Sequence, residues 1–359
     1  MLPDTDSVGN GAHSIGKVEP KPVRNVVIAA ALGLLLGVVA GLIREQFDDT
    51  IRGTEEAEEA FGQPATVTLP SRFLGHRPFA GPRRKGADPV VAELAIQRLA
   101  AEILWSPESR DTRTLLVTSA HPEEGKTTVT ANLAVEMASS GYRVIVVEAD
   151  LRRPMLHGYL DVDPSAGEVG VDAVLRGRAT VTSTMVEVPV WNRSAPRSRA
   201  SGQSTEGAGR LRAILSAPGH TWPSEVGAER IGEFLNVLKS RADYVIFDAP
   251  PILVVPDAYS LVNAVDTVVV VVRNDRSTMK ATEAMRRLLE RLRPRRVELV
   301  VAETDEEYER SYRAYATPRA SSPPRSAKLP AQQEEAMPRP VQPESPPPEA
   351  TEPPPSEEA

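Results

Sequence analysis

The residues with the clearest chemical pattern form a short segment in the first half of the chain. Residues 120–127 read AHPEEGKT, which fits the phosphate-loop pattern of Ala or Gly, four residues of any type, Gly-Lys and then Ser or Thr. The segment follows the apolar run TLLVTS and opens the helical stretch TTVTANLAVEMASS. Backbone N–H groups at the start of that helix would bind a β-phosphate, the lysine would neutralise phosphate oxygens, and the threonine hydroxyl would bind Mg²⁺. The predicted nucleotide-binding residues are Pro122, Glu124, Gly125, Lys126, Thr127 and Thr128.

Acidic residues stand at the carboxyl ends of two further strand-like runs. VIVVEAD ends in Glu148 and Asp150, and VIFDAPP contains Asp248. Ligands of open α/β sheets bind where the strands end, so these acids and the phosphate loop should converge on one crevice. Asp248 suits a place in the Mg²⁺ shell, and either acid of the first pair could contact the metal or activate a nucleophile. A helix N-cap is the alternative for any one of these acids. The predicted catalytic residues are Lys126, Glu148, Asp150 and Asp248, and the predicted metal ligands are Thr127, Asp150 and Asp248.

The elements that must position these residues are apolar, β-rich runs that alternate with helical stretches. Runs such as VIVV and TVVVVV are apolar at every position, as are strands that are buried on both faces of a parallel sheet. The pattern predicts an α/β fold of the P-loop NTPase class with a doubly wound, mostly parallel sheet. The predicted strands are Leu115–Thr118, Val144–Val147, Tyr244–Phe247, Thr267–Val272 and Val297–Val301.

One apolar stretch near the N-terminus predicts a transmembrane helix. Val26–Ile43 contains no charged residue, and its roughly 18 residues reach about 27 Å, just enough to cross a hydrocarbon core. Gly33, Gly37 and Gly41 fall on one helix face, either to allow close helix–helix approach or because glycine is common in membrane helices. A cleaved signal peptide is the alternative, but this run exceeds the usual h-region of about 7–15 residues.

The remaining segments are assigned from composition and pattern. Val90–Trp105 predicts an amphipathic helix, and the charged pattern after Ile43 predicts that the membrane helix continues to Phe61. The predicted organisation is a disordered segment (1–25), the transmembrane helix (26–43), a juxtamembrane helix and a Pro/Gly/Arg linker (44–89), the P-loop domain (90–305) with a flexible surface insertion (183–209), and a Tyr-containing segment with a disordered, Pro-rich tail (306–359).

Composition excludes several classes of function. The absence of cysteine from the 359 residues excludes disulfide scaffolds, thiolate metal sites and cysteine catalysis. The net charge of −7 argues against electrostatic binding of nucleic acid. The 33 prolines and the aromatic content of 4% are typical of ordered sequence combined with disordered sequence.

The three motif segments resemble a known family. VTSAHPEEGKTTVTANLA, VVEADLRRP and VIFDAPP look like the Walker A, Walker A′ and Walker B motifs of the bacterial tyrosine autokinases, or BY-kinases. Where related sorting and division ATPases have a signature lysine, this chain has His121 followed by Pro122, as in the kinases. The resemblance implies ATP and Mg²⁺ as cofactors, a role in capsule or exopolysaccharide synthesis and export, and the polymerase and export proteins as partners. It also implies a further partner in a second copy of the chain, with the number of copies left open.

The membrane segment shares this resemblance. Residues 21–62 resemble the second membrane helix and juxtamembrane segment of the Wzz-type co-polymerase that is fused to such kinases, and the first membrane helix and ectodomain are missing. The resemblance implies a single-pass protein of the plasma membrane with a cytoplasmic C-terminal domain. Flanking charge favours the opposite orientation, because Lys17, Lys21 and Arg24 precede the helix while Arg44 and Arg52 follow it. We give ATP chemistry the greater weight and expect residues 1–25 outside the cell.

The chain departs from the family pattern at several positions. Glu123 stands where the family usually has Gly, Glu148 replaces Asp, and Glu303 replaces an Asn near the adenine. ELAIQRLAAEIL does not keep the E-x-x-R-x-x-R pattern of ring assembly. These departures leave two alternatives to the kinase open. They are a non-catalytic regulatory scaffold and an ATPase that does not transfer phosphoryl groups to tyrosine. The tyrosine cluster that accepts phosphate in the family is reduced to Tyr308, Tyr312 and Tyr315.

Overall fold

A computed structural model describes residues 22–46, 48–71, 74, 89–107, 111–167, 169–190, 209–216, 219, 222–223 and 226–303. Ten α-helices and eight strands lie within these ranges. In chain order they are α1 (Pro22–Gln46), α2 (Thr54–Phe61), β1 (Val67–Pro70), α3 (Pro89–Trp105), β2 (Thr114–Ser119), α4 (Lys126–Ser139), β3 (Arg143–Glu148), α5 (Leu156–Leu160), α6 (Val171–Leu175), α7 (Val181–Thr184), β4 (Met185–Val188), β5 (Arg210–Ile214), α8 (Ala228–Arg241), β6 (Tyr244–Asp248), α9 (Tyr259–Val262), β7 (Thr267–Arg273), α10 (Met279–Leu292) and β8 (Val297–Glu303).

The strands form one sheet in the order β1-β8-β7-β2-β6-β3-β5-β4. Neighbouring strands are parallel except for the antiparallel pair β4–β5. All five predicted strands are present, each one or two residues longer than predicted; Leu115–Thr118, for example, becomes Thr114–Ser119. The P-loop NTPase fold class with a mostly parallel sheet is therefore confirmed.

Two hydrophobic cores lie on the two faces of the sheet. In β2, Leu116 belongs to one core, together with Phe234 of α8 and Met285 of α10. Its neighbour Leu115 belongs to the other core, with residues of α3 and α4 such as Leu133. Every residue of β2 is buried, because alternate side chains of a strand enter opposite faces. The loop that follows β2 is thus anchored at its start by packing on both faces.

The segment between α1 and α2 differs from the prediction. A continuous helix to Phe61 is wrong: α1 ends at Gln46, and Thr50 forms a β-bridge with Thr278. Ile51 is fully buried in the first core, and its N–H donates to the carbonyl of Ser277 at 2.9 Å. In a continuous helix this N–H would bond to a carbonyl four residues earlier in the chain. Here it bonds to Ser277 instead and Ile51 is buried, so tertiary packing overrides the helical pattern.

Part of the predicted linker is a strand. Val67–Pro70 pairs with β8 as an edge strand, and Val67 and Leu69 are buried. Such a short strand leaves little periodic signal in a sequence rich in Pro and Gly. Residues 75–88 of the predicted linker lie outside the described residues. The predicted helix Val90–Trp105 is present as α3.

The predicted insertion at 183–209 begins at the end of α7 and contains a strand, β4, that was not predicted. Met185–Val188 pairs with Arg210–Ile214, which was missed as well. Glu187 and Arg212 are cross-strand partners, and their side chains form an ion pair at 2.8 Å. Because this edge of the sheet carries charge, it lacks the continuous apolar run that reveals a central strand. Residues 191–208 lie outside the described residues.

The apolar helix near the N-terminus is long enough to cross a membrane. Within α1, the 19 residues Asn25–Ile43 have a mean hydropathy of 2.8, and none of them is buried against the rest of the chain. Among the described residues this is the one helix with that length and composition.

Candidate nucleotide-binding site

The loop between β2 and α4 has the backbone of a phosphate loop. Gly125 precedes the first residue of α4 and has a φ of 102°, in the left-handed region. The left-handed backbone favours glycine here, and a Cβ at this position would lie 2.5 Å from the Cδ2 atom of Leu74, so that side chain would have to shift. The amide groups at the start of α4 are therefore positioned to bind an anion, as helix N-termini do.

Lys126 lies in this loop with its ammonium group directed at an acid. Its Nζ atom is 2.8 Å from Oδ2 of Asp150, and the two side chains are only 10% and 6% exposed. Burial lowers the pKa of the Lys126 ammonium, but the carboxylates of Asp248 and Asp150 outweigh burial and raise that pKa above its ordinary value. The lysine thus remains a cation, which is the form that neutralises phosphate oxygens.

Thr127 and Asp248 form a second contact beside it. The Thr127 hydroxyl donates to Oδ2 of Asp248 at 2.8 Å, and the Thr130 hydroxyl lies 3.3 Å from Oδ1 of the same carboxylate. Burial raises the pKa of Asp248, which is 1% exposed. Among the described residues no three or more His, Cys, Asp or Glu side chains cluster as a metal site. Mg²⁺ takes oxygen ligands and is commonly held by one or two carboxylates plus substrate phosphates, so a hydroxyl and a carboxylate beside the loop fit it.

Glu148 is bound on both sides by backbone groups. It is fully buried, and its two carboxylate oxygens accept hydrogen bonds from the N–H groups of Leu156 at 2.7 Å and Ser216 at 2.9 Å. Burial raises the pKa of Glu148 from 4.5 to about 7. In this arrangement the side chain joins the end of β3 to the start of α5 and to the segment after β5.

The two consecutive glutamates of the loop have different surroundings. Glu124 is buried and accepts hydrogen bonds from the His121 N–H at 3.0 Å and from the Ser277 hydroxyl at 2.6 Å. Burial raises the pKa of Glu124. Glu123 is 65% exposed, and its carboxylate lies 2.7 Å from Nη1 of Arg276. Its φ of 66° explains why glycine suits this place in the loop.

The described structure brings together only part of the predicted set. Lys126 contacts Asp150 and Thr127 contacts Asp248, and the Lys126 ammonium group donates to the Thr127 hydroxyl oxygen at 3.4 Å, which links the two pairs. Thr128 is buried, and Pro122 is exposed. The three tyrosines predicted as acceptors, Tyr308, Tyr312 and Tyr315, lie outside the described residues.

Glu303, at the place expected near an adenine, has a different partner. Its carboxylate accepts a hydrogen bond from the Thr54 hydroxyl at 2.5 Å. Thr54 is the first residue of α2, so this contact joins the end of β8 to the segment that follows the apolar helix.

Sequence reasoning missed the contribution of residues 273–277. Arg273, Arg276 and Ser277 contact the phosphate loop through Glu123 and Glu124. A signal was present in the polar sequence RNDRS, which directly follows the apolar run of β7. Since β7 pairs with β2, residues after β7 lie next to the loop that follows β2.

Comparison with known proteins gives the family. The family model of the CobQ/CobB/MinD/ParA nucleotide binding domain matches residues 115–313. The chain belongs to this family. Tyrosine-protein kinase YwqD of Bacillus subtilis is 30% identical over 188 residues, which cover 51% of this chain and 70% of YwqD. The predicted resemblance to bacterial tyrosine kinases is therefore confirmed within the family.

Longer relatives match over part of their length, and a solved structure has the same fold. Tyrosine-protein kinase ptk of Acinetobacter johnsonii is 25% identical over 287 residues, which cover 77% of this chain and 36% of ptk. The chain thus spans about a third of the length of such relatives. The kinase domain of the Escherichia coli tyrosine kinase ETK has the same fold, with a TM-score of 0.56 and 24% identity; the match covers 71% of this chain and 96% of that domain.

Proposed function

We propose that the chain binds Mg·ATP and transfers the γ-phosphoryl group to tyrosine hydroxyls, in the control of capsule or exopolysaccharide export. The observation that carries this proposal is the link between Lys126, Asp150, Thr127 and Asp248 at the start of α4. The tyrosine kinases among the relatives give the acceptor class.

In this group the lysine would bind the phosphates and the other three residues would hold the metal. Lys126 would exchange its contact with Asp150 for the β- and γ-phosphate oxygens, because phosphate carries the greater negative charge. The hydroxyl of Thr127 and the carboxylates of Asp150 and Asp248 would hold Mg²⁺. When bound, the metal neutralises charge that develops on the phosphates.

Glu148 and Asp150 are the two candidates for the general base that takes the proton of the tyrosine hydroxyl. Glu148, the residue predicted from sequence, has a pKa of about 7, which suits a base. However, both its oxygens already accept backbone N–H groups. We assign Glu148 a positioning role in this arrangement, with base function only after those bonds open.

The location and partners form the second part of the proposal. The apolar helix α1 would cross the plasma membrane once, with residues 44–359 in the cytoplasm, where ATP is available. Tyr308, Tyr312 and Tyr315 of a neighbouring copy are the proposed acceptors. The proposed protein partners are polysaccharide polymerase and export proteins.

One alternative has a specific observation in its favour. If the bonds from Leu156 and Ser216 keep Glu148 in place, the chain would bind nucleotide without transferring phosphoryl groups. It would then act as a regulatory scaffold of the export machinery, or hydrolyse ATP slowly.

Incubation of the purified full chain in detergent with γ-labelled ATP and Mg²⁺ separates these functions. The kinase predicts label on tyrosine, the ATPase predicts free phosphate only, and the scaffold predicts neither. Lys126→Ala should abolish whichever activity is found. Lys280→Ala, which removes a lysine of α10 whose side chain is 85% exposed, is the matched control and should not. ATP binding without any product would overturn the kinase proposal.

A further inference from the structure

The phosphate loop is held from one side by a buried carboxylate. Glu124 is 1% exposed, and its side chain points into the fold. One carboxylate oxygen accepts the N–H of His121 at 3.0 Å, and the other accepts the hydroxyl of Ser277 at 2.6 Å. The first bond closes the loop on itself, and the second joins the loop to the segment after β7. Together the two bonds fix the path of the chain just before Gly125.

Ser277 is a firm point of attachment because its backbone and its hydroxyl are all bonded. The residue is fully buried. Its hydroxyl accepts the N–H of Arg273 at 2.9 Å, and its own N–H donates to the carbonyl of Arg273 at 2.8 Å. Its carbonyl accepts the N–H of Ile51 at 2.9 Å. A residue that is held on several sides moves little, so it can keep the loop in one place.

The other contacts between these two segments are weaker. Arg276 and Glu123 form an ion pair with side chains 50% and 65% exposed, which water screens. The Nη1 atom of Arg273 lies 3.5 Å from the carbonyl oxygen of Glu123, which is long for a hydrogen bond. The bond from Ser277 to Glu124 is short, buried and made to a carboxylate, and bonds of this type are the strong ones. It should therefore contribute most to the position of the loop.

We infer that Ser277 is a positioning residue of the phosphate site and acts through Glu124. A phosphate loop binds its ligand largely with backbone N–H groups, whose directions depend on the path of the chain. Without the Ser277 hydroxyl, the buried carboxylate would lose one of its donors, and an unsatisfied buried acceptor is costly. The carboxylate would then turn toward water and change the path of the loop. In this role Ser277 does not itself contact the phosphates, and the inference rests on the proposed nucleotide function.

Titration calorimetry of the full chain in detergent, with ATP and with inorganic tripolyphosphate as ligands, tests this inference. Tripolyphosphate has neither base nor sugar, so its affinity reports on the phosphate loop. Ser277→Ala should weaken both ligands roughly 10-fold, the fold-change expected for loss of one hydrogen bond to a charged group. Glu124→Ala should weaken them at least as much. The double variant should bind no more weakly than Glu124→Ala, because the hydroxyl then has no carboxylate to hold.

Glu124→Gln gives a second test that keeps the size of the side chain. Both carboxylate oxygens accept hydrogen bonds, whereas an amide has a single oxygen and would turn its NH₂ group toward the other donor. This variant should therefore weaken ATP and tripolyphosphate roughly 10-fold as well. Unchanged affinities would overturn the inference even if Ser277→Ala does not fold.

Thr112→Val is the matched control for loss of a buried hydroxyl. The hydroxyls of Thr112 and Thr267 are 3.1 Å apart, and both residues are buried at the amino ends of β2 and β7, away from the loop. The substitution should lower the free energy of unfolding and leave both affinities unchanged. It thus separates a positioning effect from a loss of stability. Weakening of both ligands by Thr112→Val to the same extent as by Ser277→Ala would overturn the inference.

Two further results would overturn the role of Ser277 alone. They are unchanged tripolyphosphate binding by Ser277→Ala, and losses that multiply in the double variant. The proposed function would survive either result, because the wild-type chain would still bind ATP. If the wild-type chain binds neither ATP nor tripolyphosphate, the proposed function fails, and the inference that rests on it fails too.

Discussion

Two ion pairs of nearly equal length involve residues of the phosphate loop, and they differ in their surroundings. Lys126 and Asp150 are 2.8 Å apart, with side chains 10% and 6% exposed. Arg276 and Glu123 are 2.7 Å apart, with side chains 50% and 65% exposed. Water screens the second pair, whereas the first pair leaves a buried charge behind when one partner is removed. The contribution of each pair to stability therefore depends on its burial and cannot be read from its length alone.

The largest effect is expected for Lys126→Ala. Removal of this cation leaves the buried carboxylates of Asp150 and Asp248 without compensation, and loss of one partner of a buried pair costs about 3 to 5 kcal/mol. Urea unfolding should show a loss of that size in the free energy of unfolding, and calorimetry should show no ATP binding. Lys126→Met retains most of the apolar stem, so a similar loss in both variants would assign the effect to charge. Unchanged ATP affinity in either variant would refute the phosphate site.

The next effect concerns pH and Glu148. Below pH 4.5 this carboxyl group is protonated in both the folded and the unfolded chain; above that pH it ionises first in the unfolded chain, because burial raises its folded pKa to about 7. Its contribution to stability is therefore present at low pH and is lost as the pH rises toward 7, with a slope approaching about 1.4 kcal/mol per pH unit. Glu148→Gln should flatten this dependence. Urea unfolding at pH 5, 6 and 7 without Mg²⁺ measures it, and parallel curves for the two proteins would contradict the raised pKa.

A smaller effect is expected for Glu123→Gly. A carboxylate facing the phosphates would repel them by up to about 3 kcal/mol at a distance of ~5 Å, but this carboxylate is exposed and paired with Arg276. Arg276 pairs with Glu123, and water screens the charge of this exposed carboxylate. The affinity for ATP should therefore change by less than about 3-fold. Calorimetry decides: a gain of 10-fold or more would mean that Glu123 turns toward the nucleotide when it binds.

The smallest effect is expected for Arg276→Ala. An exposed pair contributes about 0 to 1 kcal/mol, so the free energy of unfolding should fall by no more than this amount. A loss comparable to that of Lys126→Ala in the same urea experiment would show that burial does not rank the two pairs.

The central strands and the phosphate loop could be predicted from sequence because their signals are local. A strand buried on both faces is apolar throughout, and the Gly-Lys-Thr loop needs fixed residue types at fixed spacing. Strands β4 and β1 could not be found in this way, since each is short and lies at an edge of the sheet.

The surroundings of the loop depend on contacts between distant segments. Glu123 meets Arg276, and Glu303 meets Thr54; neither contact follows from spacing along the chain. The ion pair of Glu123 and the hydroxyl partner of Glu303 were therefore found only in the fold.

The β-bridge between Thr50 and Thr278 has a consequence for motion. The apolar helix ends at Gln46, and the chain from there to Thr50 can extend no further than about 14 Å. When that helix lies in a bilayer, Thr50 and the sheet to which it is bonded stay within this distance of the helix end. The crevice at the end of β2 would then stay close to the lipid headgroups, and under the proposed function an acceptor tyrosine would have to reach it there.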